Sequence, residues 1–249
     1  MGRTCLTCSS EPQPLFFLSL CGTMQLVSLL PLIFALATFA APAETIVGRS
    51  CHEDLSIHDL GGLPAPKNPV SFVLLGVGTQ NYTCSSTGTY ASAGAVARLF
   101  DVSCISNTDL FPRLTKLAYD IWTTEVQASA SSVAEISSLL ENVGVIFGDH
   151  YFVTSPTGTG ITPKWDATSG AFKGNPNAYM LGAKAAGVSA PTGSFDIDWL
   201  YLTNLGGSVG GKLADGIYRT STNGGQPPAS CTPGESTTVK YTAFYYLTG

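Results

Sequence analysis

The sequence predicts a mainly β protein, a sandwich or barrel-like antiparallel sheet, with a helical insertion around residues 110–142. The stretch from Phe195 to Gly249 is the first reason. Strand-like runs there alternate with turns rich in Gly, Asn and Pro, the punctuation of antiparallel sheets. Sparse charge is the second. Asp, Glu, Lys and Arg make up 12% of the chain against 44% hydrophobic residues and 27 glycines, a balance suited to a β-rich extracellular domain. Third, helical periodicity is convincing in one region: Leu114, Leu117, Ala118, Ile121, Trp122 and Val126 recur at spacings of three and four.

In chain order, Met24 to Ala43 is an apolar run ending in small residues, the form of a secretory signal peptide, with cleavage expected after Ala40 or Ala43. It is barely long enough to span a bilayer, contains Pro31 and lacks a basic stop-transfer cluster, so a membrane helix fits less well. Residues 1–23 are polar and carry Cys5, Cys8 and Cys21, unlike the short basic start of a signal peptide. They read as a gene-model extension, with translation starting at Met24. Residues 44–70, with five Gly and Pro positions from Gly61 to Pro69, form an extended arm. His52 and His58 lie in it as solvated residues. A single β-rich domain is expected over 71–249, long enough for a sizeable core.

Ser71 to Val77 is a near-continuous apolar run, a strand buried on both faces. The following Gly76-Val77-Gly78-Thr79-Gln80-Asn81 begins like a dinucleotide fingerprint. Asn81 replaces the third Gly, and Tyr82-Thr83-Cys84 continues as strand rather than opening a helix. The glycines therefore read as a bulge or bend. Ala95 to Cys104 is a further strand with Val96, Leu99, Phe100 and Val102 as core candidates. After the amphipathic helix carrying Trp122 in the core, Ser132-Val133-Ala134-Glu135 has the form of a capping box opening a second helix. Val145 to Thr154 is a bent strand or strand pair, and residues 167–193 hold short strands or turns.

In the C-terminal stretch, Asp196, Asp198, Leu200 and Leu202 share one strand face and Ile197, Trp199 and Tyr201 the other. Strands follow at Ile217 to Thr222 and Val239 to Leu247, with Asn223-Gly224-Gly225 as a tight turn. Gly206-Gly207-Ser208-Val209-Gly210 matches the G-x-S-x-G of α/β-hydrolases, but no His follows the Ser, as that fold requires. The same glycines approach a P-loop, but Leu213 stands where Ser or Thr must hold magnesium. A loop between strands remains.

The charge balance of −5 provides no basic patch for nucleic acid. Cys51, Cys84, Cys104 and Cys231 belong to the mature chain; an even number in a secreted protein predicts two disulfides, with three connectivities open. No C-x-x-C pair falls among them, which argues against zinc. Asn81-Tyr82-Thr83 is a glycosylation sequon. No metal or other cofactor is expected, nor a membrane association after signal cleavage, and the oligomeric state is left open.

An ordered set of motifs points further. Gly76 to Cys84 comes first, then Gly148-Asp149-His150-Tyr151-Phe152, Pro163 to Asp166 and Asp198-Trp199-Leu200. Tyr218-Arg219-Thr220, Gly224 to Pro228 and the tail Val239 to Tyr246 follow. Together they resemble an uncharacterised family of secreted fungal proteins with bacterial relatives, often labelled malate dehydrogenase. That family has no established catalytic residues to transfer. The resemblance implies a Cys84–Cys231 disulfide, leaving Cys51–Cys104. Malate dehydrogenase activity is not supported, since the nucleotide fingerprint is broken and the chain is directed out of the cell.

The polar groups available for chemistry are His150, Asp149, Asp166, Asp196, Asp198, Lys212 and Arg219. Asp196 and Asp198 stand side by side, too close in sequence to flank a glycosidic bond and too few for calcium. The reading reached is a secreted, non-catalytic binding or cell-wall-associated module. Trp165 and Trp199 are its candidates for stacking on glycan. The alternative is a secreted hydrolase of unrecognised type using His150, Asp166 and Arg219, which requires the three to converge in a cleft.

Overall fold

The computed structural model describes residues 52, 54–124 and 145–249. Eight antiparallel strands close into an up-and-down barrel: β1 Val70–Cys84, β2 Tyr90–Asp101, β3 Val145–Thr154, β4 Ile161–Asp166, β5 Tyr179–Val188, β6 Trp199–Asn204, β7 Gly216–Gly224 and β8 Ser236–Thr248. Each strand pairs with its neighbours in sequence, and β8 returns to β1 to close the wall, from Val70↔Thr248 to Thr83↔Ser236. The helix α1, Phe111–Thr124, connects toward β3 on the outside. The capping-box segment, Val126 and Cys51 lie outside the described residues.

The two faces of the long strands bury different cores. Leu74, Leu99, Trp165, Met180, Leu202, Ile217, Ala243 and Tyr245 form the interior cluster. Residues of opposite parity, among them Val73, Leu75, Val77, Phe100 and Phe244, form an outer layer with Phe111, Leu114, Ala118 and Trp122 of α1 and Leu63 of the arm. This explains the double-sided apolarity of β1: one face looks into the barrel and the other is roofed by helix and arm. Phe111 stacks on Phe244 at 4.1 Å, and the Trp122 indole N–H donates to the Gly78 carbonyl at 3.2 Å.

Several sequence expectations are corrected. Val96 is 56% exposed: it shares the outer face with Arg98, at a surface hollow beside Trp122 that α1 does not fill. Leu117 is 46% exposed; α1 turns Thr115 to the barrel instead, where its carbonyl accepts from the Thr242 hydroxyl at 2.7 Å. Ile197 does not alternate with Trp199 and Tyr201. β6 begins only at Trp199, and the preceding chain is held by an isolated Asp196↔Gly225 bridge that turns Ile197 into the interior. Gly224 and Gly225 have positive φ, 68° and 91°, but they close that bridge rather than a hairpin turn. The β1 irregularity beside β2 falls at Asn81/Tyr82, not at Gly76 or Gly78.

Cys84 is bonded to Cys231, tying the end of β1 to the loop before β8. Cys104 is also disulfide-bonded.

Candidate functional site

Side chains fill only part of the barrel interior. A cavity of about 390 Å³ lies between β3 and β8, bounded by His150, Trp165, Leu200, Leu202, Arg219 and Tyr245. Backbone geometry opens it. β4 runs in register with β3 over its whole length, from Asp149↔Asp166 to Thr154↔Ile161. With β5 it pairs only from Lys164↔Leu181 to Asp166↔Tyr179. The ladder stops at Pro163, which has no N–H to donate. Beyond it the strands part, and Thr162 and Pro163 on one side and Gly182, Ala183 and Lys184 on the other line the cavity. Ile161 and Lys184 are exposed at this opening.

The deep end is polar. His150 is 2% exposed and stacks on Trp165, with centroids 4.4 Å apart. Its Nδ1 lies 2.9 Å from the Lys164 carbonyl, which can only accept, so Nδ1 carries the proton. Burial strips hydration from the charged ring and lowers the His150 pKa to about 3; the Lys164 carbonyl opposes that fall and the Arg219 charge adds to it. His150 is therefore neutral, with an accepting Nε2. The Trp165 N–H is buried without a hydrogen-bond partner.

Arg219 donates through Nε and Nη2 to the Asp198 carbonyl, at 3.2 and 2.8 Å. It stands beside Tyr245 in the β7–β8 ladder. Burial raises the Tyr245 pKa, and the Arg219 charge opposes it. The Tyr245 and Tyr241 hydroxyls are 2.8 Å apart. Gly76 makes room for this aromatic: a Cβ there would lie 2.5 Å from the Tyr245 ring. The contributions of Tyr245, Pro163 and Gly182 were not singled out from sequence. Alternation along Tyr241, Ala243 and Tyr245 was the available signal for the first.

The sequence candidates separate across the wall. His150 and Arg219 face the same cavity. Asp166 belongs to the outer face, accepting from Tyr151 Oη at 2.6 Å and Thr168 Oγ1 at 2.6 Å, and pairing with Lys164 Nζ at 2.7 Å. Burial alone would raise its carboxyl, but these bonds outweigh that and hold it well below the usual carboxylate range. Asp149, also outside, pairs with Arg98 at 3.2 Å. Asp196 caps the Gly224 amide at 2.6 Å, and Lys212 is exposed on the β6–β7 loop.

Trp165 and Trp199 are 2% and 3% exposed. Trp165 is cavity wall; Trp199 lies under the outer layer and donates to Thr222 Oγ1 at 3.1 Å. Neither offers an open ring face to a polysaccharide. Asn81 lies on the outer face of β1, where its Oδ1 accepts from Thr238 Oγ1 at 3.2 Å. Among the described residues, no group of three or more His, Cys, Asp or Glu is placed to hold a metal ion, and no helix is long and apolar enough to cross a membrane.

Fold and cavity together define a disulfide-tied, antiparallel eight-stranded barrel with a partly polar internal chamber. Over residues 64–249 the chain matches the family described as a protein of unknown function, DUF3455, and it belongs to that family. No curated protein and no solved structure matches it.

Proposed function

We propose that this is a secreted binding protein whose barrel takes up one small, mainly apolar molecule. The observation that carries the reading is the laterally open cavity of about 390 Å³. That size falls in the range of small-molecule sites, about 300–1,000 Å³. Leu200, Leu202, Phe152 and Ile161 supply apolar wall, and the polar groups gather at the His150–Trp165–Arg219–Tyr245 end. The Cys84–Cys231 disulfide and the Met24 to Ala43 segment support secretion. Catalysis is not part of the proposal: Asp166, which a His150-based hydrolase would need, is committed to Lys164, Tyr151 and Thr168 on the other side of the wall.

Titration with the neutral fluorophore N-phenyl-1-naphthylamine tests this. A saturable, single-site rise in its emission is expected, lost in Gly182→Leu, where the new side chain grows from the cavity lining between Trp165 and Leu202. A folded wild-type protein that gives no saturable signal would overturn the proposal.

A further inference from the structure

We infer that the ligand of this barrel carries a carboxylate or an equivalent single anionic head, seated against Arg219. The inference rests on the binding reading above and narrows it to a chemical class. Arg219 is a permanent cation set into a largely apolar chamber. Among the described residues it pairs with no carboxylate: Nε and Nη2 donate to one backbone carbonyl of Asp198, and the guanidinium also hydrogen-bonds the Tyr245 side chain. A half-buried guanidinium whose partners are all neutral is a site for an anion, because charge-assisted bonds are the strong ones in low dielectric.

The rest of the lining points the same way. Arg219 shares the cavity with the hydroxyl-bearing Tyr245 and with Lys184. The lining contains Lys184 and Arg219 and no Asp or Glu, so its field favours negative charge and rejects amines. The remaining wall, with Phe152, Ile161, Leu200 and Leu202, suits an alkyl or aryl body. Pro163 and Gly182 leave the passage through which such a body enters.

The experiment compares ligands of one shape and different charge by calorimetry on the full secreted protein: octanoate, methyl octanoate, octan-1-ol and octylamine. Octanoate is expected to bind about 10- to 100-fold more tightly than the ester or alcohol, the span of a hydrogen-bonded charge. Octylamine is expected to bind most weakly. In Arg219→Met the advantage of octanoate over the ester should vanish while the ester's own affinity persists; Arg219→Lys should restore part of it. Equal binding of acid, ester and alcohol would overturn the anionic-head inference and leave the binding reading standing. If none of the four binds and the neutral fluorophore does not either, both fall. The four-ligand series on wild type decides the matter even where Arg219→Met does not fold.

Discussion

Replacing Gly78 with Ala tests how closely β1 and β2 approach at the back of the barrel. Gly78 sits in β1 opposite Ala97 of β2 and Tyr241 of β8. A Cβ added there would lie 2.0 Å from the Val96 carbonyl oxygen and 2.5 Å from the Ala97 Cα. Both are backbone atoms, so no rotamer change relieves the contact. The strands must part locally, and the Trp122 bond to the Gly78 carbonyl moves with them. Overpacking of this kind costs about 1–3 kcal/mol, and relief through backbone alone places it near 3. Loss of glycine entropy from the unfolded chain offsets about 0.4–1 kcal/mol. The net is about 2 kcal/mol, a fall in Tm of ~4–8 °C for a domain of this size. Equilibrium urea unfolding followed by tryptophan emission measures it. Gly158→Ala is the control, since nothing lies within 4 Å of its Cβ in the β3–β4 loop, and it should stay within about 0.5 kcal/mol of wild type. A Gly78→Ala protein as stable as that control would refute the close-packing account of the β1–β2 wall.

Two further outcomes follow from burial and covalent closure. His150 titrates near 6.5 when unfolded and at about 3 when folded, so between those values the unfolded chain holds the extra proton and stability falls as pH falls. The slope attributable to this residue approaches ~1.4 kcal/mol per pH unit inside that window. Urea titrations between pH 4 and 6.5 should therefore be flatter for His150→Gln than for wild type; parallel slopes would show that the ring is not buried and neutral. Removing the Cys84–Cys231 bond, which spans a separation of 147 residues, in a Cys84→Ser/Cys231→Ser double variant should cost about 2–5 kcal/mol. A midpoint unchanged in urea would refute a stabilising role for this bond.

Much of the framework was legible in residue pattern. The double-sided apolarity of β1, the aromatic β8 and the helical stripe through Trp122 each follow from periodicity, and closure into a barrel is the solution that uses both faces of β1. The errors have a common cause. Val96 and Leu117 carry the right chemistry for a core, yet whether an outer-face residue is covered depends on where the arm and α1 lie, which no local pattern encodes. The site was half legible. His150 and Arg219 stood out as ionisable groups among apolar neighbours, and the structure brings them to one cavity. Asp166 was grouped with them as a carboxylate available to a His-based hydrolase, but it alternates to the opposite face from Trp165. Pro163 was visible from the start; that it ends a ladder and opens the wall depends on the β4–β5 register.

The β1–β8 seam has a consequence for biogenesis. The strand formed first, Val70–Cys84, finds one of its two partners only in Ser236–Thr248. Until that strand is made, apolar β1 presents a bare hydrogen-bonding edge, and its long-range pairing is slow to form. Truncation within the last dozen residues, which removes the partner of β1, should therefore give aggregated protein rather than a soluble, shortened barrel.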